Sequence, residues 1–483
     1  MQPLVILRIL GLLMLLSSCT LLPPIVTGLI YGDGAVAPFV EALVLTLVLG
    51  CVLYLPVRKY RNELRLRDGF LVVVLFWTVL GVAGGLPIYL AGVNDISITD
   101  SVFESISGIT TTGATVIVGI DELPHSLLLY RQELQWLGGM GIIVLAVAVL
   151  PMLGVGGMQL FRAETPGPVK DTKLTPRITE TAKALWFIYL GLTIACLLAY
   201  WAAGMSFFDA MSHSFSTVAI GGFSTHDASI GYFQSPVIQF VAIIFMLLSG
   251  VNFALHFTAI RNRSLKPYRR DAEFRFYILV LVVVSLITIG YLHLTHTFET
   301  STDPIIEGLF QVVSIGTTTG FTTAEYHVWP GFLPVLLLYV SYIGGCSGST
   351  GGGIKVIRIL LLVKQGAREL RRLVHPNAQF AVKLGKKPMP EKVIEAVWGF
   401  FAAYFAISAL MILLLMATGL NQETAFSAVA ACLNNLGPGL GEVGRNFASI
   451  NDTAKWILCV AMLLGRLEIF TLLVLFSPAF WKK

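Results

Sequence analysis

The chain has 483 residues, of which 55% are hydrophobic and only 13% charged, and its mean hydropathy is +0.78. Soluble domains carry about a quarter charged residues, so this composition defines a polytopic membrane protein, and no nucleophile–base pair, metal-ligand spacing or nucleic-acid signal stands out in it. The net charge of +5 matters less than where the cations fall, and the six cysteines stand singly in apolar stretches as small packing residues.

Two apolar stretches, roughly 3–31 and 36–57, open the chain. Leu16-Ser-Ser-Cys19 resembles a lipoprotein cleavage box, but the apolar run continues to Ile30 with Arg8 inside it, so an uncleaved helix is expected. After the basic segment Arg58–Arg67 come four similar units. Their outer helices are predicted near 69–92 and 127–153, 183–204 and 236–260, 275–294 and 332–364, and 393–419 and 453–480. Between each pair lies a shorter element, at 98–115, 206–224, 303–323 and 421–441. The outer helices are long enough to cross ~30 Å of hydrocarbon. A half-length helix with a polar loop is tolerable at membrane depth only when buried in protein or lining water. The reading is therefore ten spans and four re-entrant hairpins: an N-terminal helix pair (1–68) and four units over 69–182, 183–273, 274–392 and 393–483.

Each short element ends on a glycine: Gly113, Gly222, Gly320 and Gly437, separated by 109, 98 and 117 residues. An acid precedes each one. Asp100, Asp209 and Glu307 lie 13 residues upstream and Glu423 lies 14 upstream, where a carboxylate suits the positive end of a helix. Glycine suits a loop that needs positive φ.

Loop charge fixes the parity. Segments 58–68, 155–183, 261–275 and 364–392 hold five, five, six and eight Lys and Arg, whereas 23–38, 93–100, 114–127, 204–236 and 295–331 hold none. Arg445 alone lies in the last outer loop. Positive charge stays inside, so both termini are expected on the cytoplasmic side and the glycine loops on the outer half.

A dehydrated monovalent cation needs several oxygen ligands, and four backbone loops around an axis can supply carbonyls. The candidate lining residues are Thr111, Thr112 and Gly113; Ile220, Gly221 and Gly222; Thr318, Thr319 and Gly320; and Asn435, Leu436 and Gly437. Only the glycine is common to all four, so side chains are not the shared ligand.

These units, with Thr110-Thr-Thr-Gly-Ala-Thr115, Thr217-Val-Ala-Ile-Gly-Gly-Phe-Ser-Thr225, Thr317-Thr-Thr-Gly-Phe-Thr-Thr323 and Asn434-Asn-Leu-Gly-Pro-Gly-Leu-Gly441, resemble the Trk/Ktr/HKT superfamily of potassium transport proteins. The resemblance covers essentially the whole chain. The added N-terminal pair makes it similar to the bacterial Trk-type pore subunit rather than the shorter Ktr type. The resemblance implies an all-α polytopic fold: four pseudo-repeated helix–pore loop–helix units around one ion pore, plus two extra N-terminal transmembrane helices. It implies a potassium filter at Gly113, Gly222, Gly320 and Gly437, with potassium as the transported ion and no organic cofactor on this chain. It also implies a homodimer in the bacterial inner membrane, bound to a cytoplasmic TrkA-like ring whose subunits hold ATP/ADP or NAD.

Two features are predicted below the loops. Gly344, Gly345, Ser347, Gly348, Ser349, Gly351, Gly352 and Gly353 interrupt the last helix of the third unit, and so many glycines cost roughly 1 kcal/mol each in a helix. The bland reading is a kink, and the resemblance implies a gate across the pore. Arg466, in the last helix, is an intramembrane cation that faces either a cavity or a structural partner; the resemblance implies an electrostatic barrier. Glu468, two positions on, points elsewhere on a helix. His213 and His256 fit packing and proton linkage equally. The basic stretch 364–392 suits anionic lipid and is the first candidate for contact with the regulatory ring. Two other functions stay open beside a gated pore: a symporter coupled to H⁺ or Na⁺, and a receptor or scaffold whose loops merely pack.

Overall fold

A computed structural model describes residues 2–60, 66–141, 178–298, 303–385 and 387–482. The continuation of the helix predicted over 127–153 and most of the inner loop 155–183 lie outside the described residues. The N-terminal pair comprises α1 (Pro3–Cys19), α2 (Leu22–Tyr31) and α3 (Val36–Tyr54). Helices α1 and α3 pack closely because Gly11 sits on the Tyr54 backbone and Gly50 on Leu15.

Unit one holds α4 (Leu66–Ala83), α5 (Gly85–Ala91), the short α6 (Ile98–Ile109) and α7 (His125–Gly139). Unit two holds α8 (Ile178–Ala202), the short α9 (Phe207–Ala219), α10 (Pro236–Ser249) and α11 (Phe253–Asn262). Unit three holds α12 (Ala272–Leu294), the short α13 (Asp303–Gly316), α14 (Leu333–Ile343) and α15 (Val356–Val374). A two-stranded antiparallel ribbon, β1 (Lys383–Leu384) with β2 (Lys387–Pro388), then leads to unit four, pairing Lys383 with Pro388. That unit holds α16 (Glu391–Ala417), the short α17 (Gln422–Leu433), α18 (Asp452–Arg466) and α19 (Phe470–Phe476).

The four short helices have 12, 13, 14 and 12 residues. At 1.5 Å per residue they reach roughly 18–21 Å, too little to span. Each packs against the flanking helices of its own unit and against the second helix of the unit before it: α9 on α7, α13 on α10, α17 on α14. The series closes because α6 packs on α18. The four units therefore form a ring rather than a row.

Among the described residues, six spans are long and apolar enough to cross a membrane, α1–α2 and α4–α5 each counting as one. In units two and four the second helix corrects the expectation of a straight span, whereas in unit three the break falls where the glycine run predicts it. Helices α10 and α11 meet at 94°, and α18 and α19 meet at 115°; in unit three the chain leaves helix between Ile343 and Val356. The breaks fall at glycines pressed against a neighbour. Gly250 faces the Tyr277 hydroxyl, and Gly465 lies on the Leu433 carbonyl at the end of α17. Glu468 and Ile469 then take positive φ (55° and 49°), which no continuous helix allows.

The helix starts also differ from the simple acid-at-the-end pattern. Ser97 and Ser206 are the caps, each accepting the amide three residues on, and the Asp100 and Asp209 carboxylates accept the capping hydroxyls in return. Asn421 caps α17 through the Thr424 amide. Glu307 lies a full turn inside α13 and accepts from Gln239 and Thr323 instead.

Candidate functional site

The four glycine loops have one conformation. In each, the residue two before the glycine is left-handed: Thr111 (φ 56°), Ile220 (55°), Thr318 (69°) and Asn435 (53°). The glycines follow at 81°, 81°, 83° and 100°. The amide just before each glycine bonds back into its helix: Thr112 to Ser107 (2.8 Å), Gly221 to Ser216 (2.8 Å), Thr319 to Ser314 (2.7 Å) and Leu436 to Ala431 (2.8 Å). This is the Schellman end of a helix, but the left-handed position is not the glycine. Three β-branched residues occupy it, each strained by about 1–3 kcal/mol. Strain repeated at one register position marks the loops as more than turns.

The glycines serve a second purpose that the sequence did not reveal. Each lies against the carbonyl before the next loop's glycine: Gly113 on Gly221, Gly222 on Thr319, Gly320 on Leu436 and Gly437 on Thr112. A Cβ on Gly437 would come 2.8 Å from the Thr112 oxygen, and one on the other three would come closer still. The structure thus brings all twelve candidate lining residues together in one closed ring. Above it opens a vestibule of ≈ 700 Å³, whose wall includes all four glycines, Thr115, Ser224, Tyr326 and Phe447.

The exit segments above the glycines are braced by buried polar groups. Glu104 accepts from the Val116 amide (2.9 Å), the Thr115 hydroxyl (2.9 Å) and Arg131 (2.8 Å). His213 bonds the Asp209 carbonyl and the Ser224 hydroxyl, both at 2.9 Å, and Gln311 donates to the Ala324 carbonyl at 3.0 Å. These three stand nine residues before their glycines. His256 instead sits at the α10–α11 bend, bonding the Leu248 carbonyl (2.9 Å) and Tyr268 (2.7 Å).

On the other side of the ring, the segment Gly344–Gly353 lies directly against the loops. The Gly352 amide donates to the Thr318 hydroxyl (2.7 Å), the Gly353 amide to the Asn434 carbonyl (3.0 Å) and the Thr350 hydroxyl to the Val218 carbonyl (3.0 Å). Lys355, buried, donates to the Gly351 carbonyl. Glu273 accepts the amides of Ser347 (2.6 Å) and Ile357 (3.2 Å), tying the middle of the segment to the start of α15. Gly344, Gly348 and Gly353 have φ of 66°, 75° and 76°, while Gly345 and Ser349 pack on each other. Arg466 joins this layer to the loops: it donates to the Thr111 hydroxyl (3.1 Å), the Thr350 carbonyl (3.3 Å) and the Gly138 carbonyl. Glu468 points away from Arg466 and pairs with Arg358.

At the outer rim, His226 stands between Asp121 and Asp209, stacked on Tyr232 at 3.5 Å. Partial burial opposes its protonation, but its bonds to Asp209 and Asp121 outweigh this and raise its pKa above the ordinary 6.5. Burial likewise opposes ionisation of Asp121, yet His226 and the Asp227 amide hold its pKa below 3.8.

Four re-entrant helices, ringed by bent spans and meeting at strained backbone loops, define a multi-pass helical membrane protein built on four pseudo-repeated units. The family model described as TrkH, cation transport protein, matches residues 36–483. The chain belongs to the TrkH family of cation transport proteins. It is 59% identical over 479 residues to the Trk system potassium uptake protein TrkH of Vibrio parahaemolyticus, covering 99% of each chain. It is 58% identical over 476 residues to the protein of the same name from Escherichia coli K12, again covering 99% of each. Its fold matches the crystal structure of the potassium transporter TrkH from Vibrio parahaemolyticus with a TM-score of 0.91 and 56% identity over 100% of both chains. These relatives are named as transport proteins, not enzymes.

Proposed function

We propose that the chain takes up potassium through a pore whose filter is the ring of four glycine loops. The observation that carries this reading is the shared strained conformation, in which each glycine seats against the next loop's carbonyl. Backbone oxygens held in this way can replace a cation's water shell. Potassium as the cargo follows from the relatives' names. The segment Gly344–Gly353 and Arg466 act as the gate, lying against the inner side of the ring. Residues 69–182, 183–273, 274–392 and 393–483 are the four pore units, preceded by the helix pair 1–68. The loop charges orient the protein in the inner membrane with both termini inside. The working form is a homodimer, and the partner is a cytoplasmic TrkA-like nucleotide-binding ring docked near 364–392.

The test replaces Gly113 or Gly320 by serine. The added Cβ meets the Gly221 or Leu436 carbonyl, so potassium preference over sodium in bi-ionic liposome flux is expected to fall. Unchanged preference in a folded variant rejects the filter. Dependence of wild-type flux on a pH or sodium gradient would turn the reading from a pore to a symporter.

A further inference from the structure

The second loop lacks the side chains that hold the other three. In loops one and three the threonines flanking the left-handed residue bond each other: Thr110 to Thr112 and Thr317 to Thr319, both at 2.7 Å. Loop four is held by its asparagines. Asn434 donates to Ser341 at 2.9 Å, and Asn435 donates to Thr112 and to the Met462 carbonyl, both at 3.0 Å. Loop two reads Ala219, Ile220, Gly221, Gly222, with no side-chain hydrogen-bonding group at all.

Its support comes from another unit. Helix α7 of unit one, in Tyr130-Arg-Gln-Glu-Leu-Gln135, buries Arg131, Gln132 and Gln135 completely. The Gln135 amide donates to the Gly221 carbonyl at 2.6 Å and its oxygen accepts the Phe223 amide at 3.0 Å, straddling Gly222. A Cβ on Gly221 would displace the Gln135 amide from this position. One turn earlier, Arg131 donates to the Ser224 carbonyl (3.2 Å), the Thr115 hydroxyl (3.3 Å) and Glu104 (2.8 Å), with its guanidinium 4.3 Å from the Phe223 ring centre. Thr115 and Ser224 are each two residues past their glycine, so one planar fork sets the spacing of loops one and two. At the other three junctions the buried contacts between exit segments are neutral, Gly231 to Thr322 (3.1 Å), Tyr326 to Gly439 (2.9 Å) and Phe447 to Thr115 (2.8 Å), and the ion pair of Arg445 with Glu325 lies exposed to solvent. A fully buried ion pair is a costly way to join two segments, and its best-attested return is a fixed register.

We infer that Gln135 and Arg131 are positioning residues for ion selectivity: they do for the bare second loop what threonine and asparagine do for the others. The inference rests on the filter reading above. Gln135 acts on a carbonyl of the ring itself, so its loss frees the Gly221 oxygen to move without opening the pore.

The experiment measures potassium-to-sodium permeability and total rubidium uptake for Gln135→Leu and Arg131→Lys, with Gly113→Ser alongside. One lost hydrogen bond corresponds to about a fivefold change in an equilibrium, so the permeability ratio is expected to drop about fivefold in Gln135→Leu while rubidium uptake persists. Arg131→Lys keeps the charge but not the fork, and lowers the ratio too. If Gln135→Leu does not fold, Gln135→Glu replaces it, since it still accepts from Phe223 but no longer donates to Gly221. Wild-type ratios in these variants, with Gly113→Ser impaired, overturn the inference alone. A wild-type ratio in Gly113→Ser as well overturns the filter reading, and the inference with it.

Discussion

The Asp100 carboxylate meets the Lys455 ammonium at 2.7 Å, joining the start of α6 in the first unit to α18 in the last, and only 6% of the lysine side chain is exposed. As the sequence suggests, Asp100 belongs to a helix cap, but the cap is shared with Ser97 and the carboxylate also neutralises a buried cation. Asp100→Asn should therefore lose more than a capping charge: about 1–3 kcal/mol, because Lys455 stays buried without its counter-ion. Asp100→Lys should be worse, and pairing it with Lys455→Asp should restore part of the loss. Thermal melts in detergent measure all three, and a wild-type melt for Asp100→Asn rejects the account.

Testing the proposed gate calls for a gentler change than deleting the glycine segment. Both that segment and Arg466 bond the loops themselves, through Thr318 and Thr111, so removing either disturbs the proposed filter as well. Thr350→Val takes away only the hydroxyl that donates to the Val218 and Ser249 carbonyls. Basal rubidium flux without regulatory partner should rise with selectivity kept. Equal basal flux in wild type, Thr350→Val and Arg466→Ala at matched protein levels would sink the gate.

Glu273 offers a second handle on the same segment. One of its carboxylate oxygens takes the amides of both Ser347 and Ile357, and an unsatisfied buried amide costs about 1–3 kcal/mol. Glu273→Ala should free the segment and raise basal flux, while Glu273→Gln, which keeps an acceptor oxygen, should change it less. The reverse order would show that charge, not the amide bonds, matters there.

At the rim, the raised His226 pKa means that protonation stabilises the folded protein. That contribution is complete below the unfolded value near 6.5 and fades as pH rises through the higher folded value. Asp121, with its lowered pKa, contributes above the ordinary carboxylate range and loses its share only in strong acid. Melting temperature should therefore fall as pH rises from about 6 to 9. In His226→Gln, which faces the same Asp121, Asp209 and Asp227, this part of the slope should vanish. An identical slope in the variant rules out His226 as its source.

Much of this was legible because it rests on local rules. Glycines at nearly equal spacing and cations confined to alternate loops marked four units with re-entrant elements. What stayed hidden depends on partners distant in the chain. Nothing near Gly113 announces that its Cα faces the Gly221 carbonyl. A lone glycine such as Gly250 or Gly465 costs a helix only about 1 kcal/mol, so the sequence could not separate a bend from a straight span. The polar run from Arg131 to Gln135 was a readable signal missed: charged and amide groups inside an apolar helix need buried partners.

The ring of units has a consequence for how the protein is made. Its last junction joins Asp100 to Lys455, 355 residues further along, and Thr115 to Phe447. A ribosome delivers these partners in order, so three finished units must wait in the bilayer with a carboxylate unneutralised and a flank of α6 bare. The ring cannot close until the last unit arrives. A product cut short before α18 is then an open arc with an exposed seam.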